Sequence, residues 1–217
     1  MKPRKPHIHI DLRQATLEEL IAFVFDHPEP TTGASGSPEF WCWTVDLEVE
    51  IDRAHQVALM TELFRKARAL SPRFSAAQID QGLWFMFSAR SEWFSEILAD
   101  RELPWAARRA VIRAIYNLYE SLLAHVAAES ATYMLWDLLL DKFRDDYTEV
   151  AETCLQTLVR ILSLPQVECQ AAALHGLGHL KHAQTARIVS EYLRDQAPTD
   201  PDLRGYAERV CRGDFIL

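Results

Sequence analysis

Two histidines four residues apart, His175 and His179, are spaced to bind one metal ion from one face of a helix. His182 follows just beyond, and Cys169 lies upstream. The glutamate that serves as base in H-E-x-x-H enzymes is missing, and Gly176 and Gly178 sit beside the pair. The sequence therefore reads both as helix-face or capping groups, His179 suiting the negative end of a helix dipole, with a metal site as the alternative. No cofactor is expected.

Three other groupings could carry chemistry. Asp137, Asp141 and Asp145 recur at intervals of four, a spacing at which like charges slightly destabilise a helix. Such a stripe reads as a solvated face relieved by Lys142 and Arg144, or as a surface for a basic partner. His7 and His9 share one strand face if their segment is extended, and could offset Asp46, Glu48 and Glu50 across a ribbon or form a hard-metal site with them. Arg101, Arg108, Arg109 and Arg113 gather around Pro104, either as a solvated helix face or as an anion or acidic-peptide site.

Motifs of catalysis are missing. No G-x-S-x-G, phosphate-cradling loop, dinucleotide fingerprint or C-x-x-C occurs, and seven glycines leave little scope for one.

The elements that position these residues follow from composition and periodicity. With 217 residues, 49% hydrophobic and 10% aromatic, the chain is long and apolar enough to fold without a disulfide or metal staple, which excludes intrinsic disorder. A net charge of -8 disfavours general nucleic-acid binding unless a local basic patch overrides it. Four scattered cysteines, no secretory leader pattern and no apolar run of membrane-spanning length lead to the expectation of a cytoplasmic, reduced, non-membrane protein.

Residues 41–52 alternate apolar and polar, as a half-buried strand does, and His7–Leu12 is the nearby partner. A helix starting near Asp46 is the competing reading. Thr16 and Glu19 form a capping box for a helix from Leu17 to about Asp26, and residues 28–38 read as a flexible loop. From residue 51 the pattern is helical. Caps and apolar stripes predict helices near 52–70, 75–87, 92–99, 104–122, 132–143, 148–162, 166–180, 182–195 and 201–212. Among the aromatic residues from Trp84 to Trp105, most should be core and one or two interface anchors.

The C-terminal fifty residues are self-similar. Val167 to Leu174 overlays Leu203 to Val210 at an offset of 36, and an offset of 34 also aligns Gln170 with Arg204 and Ala173 with Ala207. The segment from Leu164 and Pro165 through Ala171, Ala172, Ala173, Leu174, Gly176 and Gly178 to Leu180 resembles the second helix of a HEAT-like repeat. Small residues there would let paired helices approach, and a glycine would end the helix. The resemblance covers residues 148–217. It departs from the family where an arginine is expected after Val167 and Glu168 stands instead, although Arg204 fits in the final copy.

The resemblance implies a curved stack of helix pairs that binds another protein on its inner surface. Metal-dependent deoxyhypusine hydroxylases are HEAT-like enzymes that use His-Glu pairs; no such dipeptide occurs in this chain, which disfavours that subclass. The expected architecture is all-α, with an N-terminal element over residues 1–50 and a HEAT-like domain over 51–217. The expected function is a non-enzymatic protein-interaction module, in its specific form an inhibitor or immunity-type protein masking a basic partner through Asp137, Asp141, Asp145 and Arg204. The alternative is a metal-dependent enzyme built on His175 and His179.

Overall fold

The computed structural model describes residues 5–33, 36–88, 93–140 and 148–214. Its all-α body carries a small strand element near the N-terminus. Strand β1 (His7–Asp11) pairs in parallel with the fourth strand, β4 (Asp46–Glu50), with His7 opposite Asp46 and Asp11 opposite Glu50. A parallel pair needs a long crossover. It runs through α1 (Leu17–Phe25), the two-residue strands β2 (Thr31–Thr32) and β3 (Pro38–Glu39), paired antiparallel, and the single turn α2 (Trp41–Thr44). The outer face of the β1–β4 pair is laced by exposed contacts of His7 with Asp46 and Glu48, both 3.4 Å, and of His9 with Glu50, 3.5 Å. Leu47 and Val49 turn inward against the core.

The strand is shorter than its sequence pattern. Residues 41–44 alternate like a strand but form a helical turn, because Trp41 is drawn onto Phe23, Phe85 and the stacked ring of His27. Packing of one large, half-buried ring on its aromatic neighbours outweighs a local preference for extension.

The helices follow their caps. Thr16 and Glu19 cap α1 reciprocally, and Ser75 with Gln78 does the same for α4 (Ala76–Phe87). Between them, α3 (Arg53–Arg65) ends earlier than its periodicity suggests and passes into a 3₁₀ turn at Ala67–Leu70. Then come α5 (Trp93–Ala99), α6 (Trp105–Leu118) with a π turn at Tyr119–Leu123, α7 (Glu129–Leu140), α8 (Thr148–Leu162), α9 (Val167–Leu180), α10 (Thr185–Asp195) and α11 (Pro201–Arg212). No described helix is long and apolar enough to cross a membrane.

Packing centres on α9. It contacts α7, α8 and α11, and every residue from Cys169 to Gly178 except Ala171 is buried. Gly176 lets α9 approach its neighbours closely: a β-carbon there would stand 2.6 Å from Leu158 Cδ2 and 2.8 Å from Trp136 Cγ. Neither glycine ends the helix. Lys181, in the left-handed conformation at φ 49°, does so. Elsewhere α6 packs on α3 and α8, α4 on α7 and α1, and α10 on α11, so one continuous core runs from Leu12 to Val210. Within the aromatic block Phe85, Phe87, Trp93 and Phe94 are buried, while Trp84 and Trp105 are half-buried against the core.

Candidate functional site

The apolar stripes of α7, α9 and α11 bring five polar side chains to one interface. His175 and His179 lie one turn apart on α9, Tyr133 and Asp137 one turn apart on α7, and Tyr206 on α11. The histidines are not surface groups, and His179 lies in the last turn of α9. His175 is only 4% exposed and the His179 side chain 10%. Asp137 Oδ1 stands 3.4 Å from His179 Nδ1. His175 Nδ1 lies 3.0 Å from the Tyr206 hydroxyl, and the Tyr133 hydroxyl donates to Tyr206 at 3.2 Å. The two imidazoles meet edge to face with centroids 4.5 Å apart, and the Tyr133 ring covers His175 at 4.1 Å.

Burial sets the electrostatics. It pushes His175 down to about 4, with the neighbouring His179 adding to the effect. Burial also holds the Tyr206 hydroxyl above the ordinary phenol range, and its hydrogen-bond contact with Tyr133 adds to the shift. Among the described residues, His175 Nε2 has no hydrogen-bond partner. One ligand atom each from Asp137, His175 and His179 lies within 4.8 Å of the others. The arrangement can hold a cation between two imidazoles and a carboxylate.

The remaining sequence candidates are placed differently. Asp137 is partly buried beside His179, and Asp141 and Asp145 lie outside the described residues. Arg204 is exposed on α11 and ion-paired with Glu208 at 3.4 Å. His182 pairs with Glu152 at 3.6 Å.

The arginines around Pro104 separate. Arg108 turns inward, 9% exposed, and donates to the carbonyl oxygen of Leu98 at 3.0 Å while lying over the Trp105 ring. Arg109 and Arg113 point the other way and join Arg65, the last residue of α3, and Arg160 near the end of α8. These four arginines and Asn117 line a cleft of about 240 Å³ with Ala106, Ala110 and Ala114. No carboxylate lines the cleft, and among the described residues none of the four makes an ion pair with an acid. Arg160 stacks on Tyr116 at 3.7 Å, and the Tyr116 hydroxyl donates to Glu120.

Sequence reasoning reached Arg109 and Arg113 by their spacing. It missed Arg65 and Arg160, which lie 44 residues before and 47 after that pair and meet it only because α6 packs on α3 and α8. No protein-family model, curated protein or solved structure matches this chain.

Proposed function

We propose that this protein is a non-catalytic interaction module, a HEAT-like stack of helix pairs that docks an acidic segment of a partner protein in the cleft of Arg65, Arg109, Arg113 and Arg160. The observation behind this reading is the convergence of four arginines without a carboxylate lining their cleft, in a chain whose net charge is -8. Clustered like charges repel one another, and a carboxylate-bearing ligand relieves that repulsion. Guanidinium groups also bind carboxylates through paired donors. The three alanines on the same face of α6 leave the space that a peptide side chain would fill. The version with a basic partner has less to stand on, since Asp137 is the one member of its acidic stripe among the described residues and it faces His179.

Fluorescence anisotropy with a short labelled peptide rich in Glu, and its Gln-rich counterpart, tests this. The Glu peptide should bind with an affinity that falls as salt rises, and the Gln peptide should bind at least ~10-fold more weakly. Arg109→Glu combined with Arg113→Glu should remove the preference. Equal binding of both peptides by the unaltered protein, or a preference that survives the double reversal, would overturn the reading. Inorganic pyrophosphate that binds where the Glu peptide does not would replace the acidic segment with a small anion.

A further inference from the structure

We propose that Asp137, His175 and His179 form a site for one divalent transition-metal ion of the Zn²⁺ class, independent of the arginine cleft. Two imidazoles and one carboxylate are the donors that Zn²⁺, Co²⁺ and Fe²⁺ accept, whereas Ca²⁺ and Mg²⁺ select all-oxygen sites. The separation of Asp137 Oδ1 and His179 Nδ1 is 3.4 Å. Two ligands bound at about 2.0–2.1 Å in tetrahedral geometry stand about 3.3–3.4 Å apart, so this edge is already set for a metal. His175 supplies the third corner from one turn away on α9, and its ligand atom falls within 4.8 Å of the other two.

His175 carries the argument furthest. Its Nδ1 is engaged by Tyr206, which leaves Nε2 as the nitrogen for a ligand, and Nε2 is buried without a partner. A buried polar atom without a partner is uncommon and calls for an explanation. A metal provides one, because histidine ligands usually anchor their second nitrogen on a hydrogen-bonding group. Coordination through Nε2 needs the proton on Nδ1, which then donates to the Tyr206 oxygen. The same oxygen also accepts from the Tyr133 hydroxyl, as its two lone pairs allow.

An ion pair between Asp137 and His179 together with a bond between His175 and Tyr206 would explain those two contacts, but not the empty nitrogen. The partly exposed Asp137 side chain and the exposed Tyr133 mark the side from which an ion enters. Three protein ligands leave a fourth position for water or a further ligand.

Titration of the full chain with Co²⁺, after EDTA treatment and removal of the chelator, tests the assignment. One equivalent should produce the visible bands of cobalt in a low-symmetry nitrogen and oxygen site, and Zn²⁺ should bleach them. His179→Gln and Asp137→Asn should each weaken Co²⁺ binding by ~10-fold or more, and His182→Ala should leave it unchanged. Tyr206→Phe should keep the bands but weaken affinity by roughly 10–100-fold, as loss of a group that orients a ligand does. Circular dichroism of each variant checks that the fold persists, and His179→Gln and Asp137→Asn keep nearly the original side-chain volume. Absence of the bands in the unaltered protein, or bands of equal strength in His179→Gln and Asp137→Asn, would overturn the proposal.

Discussion

Nδ1 of His175 lies 3.0 Å from the hydroxyl of Tyr206, a residue 31 positions further along the chain. The contact fastens α9 to α11, and the bond from Tyr133 to the same hydroxyl extends it to α7. Three helices separated in sequence are thus tied through one phenol oxygen. In Tyr206→Phe, His175 loses the partner of Nδ1 while Nε2 is already without one. The metal-free variant should lose about 1–3 kcal/mol, the cost of leaving a buried polar group unsatisfied. Urea unfolding monitored by circular dichroism measures it, and a change below about 0.5 kcal/mol would show that water replaces the hydroxyl.

His175 also couples stability to pH in the metal-free protein. Unfolded, it titrates near the ordinary value of about 6.5. Folded, burial and then His179 lower that to about 4. Between the two values the unfolded chain binds more protons, so the contribution is complete above about pH 6.5 and is lost as pH falls towards 4. Its upper size is on the order of 3 kcal/mol. Urea midpoints at pH 7.5, 6 and 5 in the presence of chelator should fall in that order, by roughly the amount this linkage allows. The slope should flatten in His175→Leu, and an unchanged slope in that variant would assign the pH dependence to other groups.

Two glycines predict opposite outcomes for the same substitution. Gly176→Ala places a β-carbon 2.6–2.9 Å from Leu158 and Trp136, both buried, so overpacking of about 1–3 kcal/mol outweighs the helix propensity gained. Gly205→Ala on α11 meets only the far end of Arg209 at 3.9 Å and should stabilise by up to about 1 kcal/mol. Thermal melts of the two variants should therefore move in opposite directions.

The cysteines should divide by burial. Cys154 and Cys169 are fully buried, and burial pushes both thiols up to about 12. At pH 8 their thiolate fraction is on the order of 10⁻⁴, and reagent cannot reach them. Cys42 and Cys211 are partly accessible. A chromogenic disulfide reagent should titrate two thiols in the native protein and four in denaturant. Four fast native thiols would mean that the α8–α9 interface opens readily.

Much of the helical body is legible in the sequence, because caps and apolar stripes act within a few residues. The boxes at Thr16 and Ser75 fix two starts, and α8, α9 and α11 fall within a residue of their predicted bounds. The Thr132 start predicted for α7 was three residues late. Where tertiary burial competes with local pattern, the sequence misleads: the alternation over 41–44 gives way to the aromatic cluster of Trp41, and Gly176 serves close approach instead of a helix end.

The candidate sites divide along the same line. Spacing alone joined His175 to His179 and Arg109 to Arg113, since one helical turn is a local distance. Spacing assigned Asp137 to a surface stripe, yet α7 packing on α9 turns it towards His179. Tyr206, Arg65 and Arg160 carried no local signal, because their roles depend on which helices become neighbours. Helix identity is written in short-range periodicity and capping. The meeting of side chains from α7, α9 and α11, or from α3, α6 and α8, is set by long-range packing of apolar faces, and only the folded chain decides it.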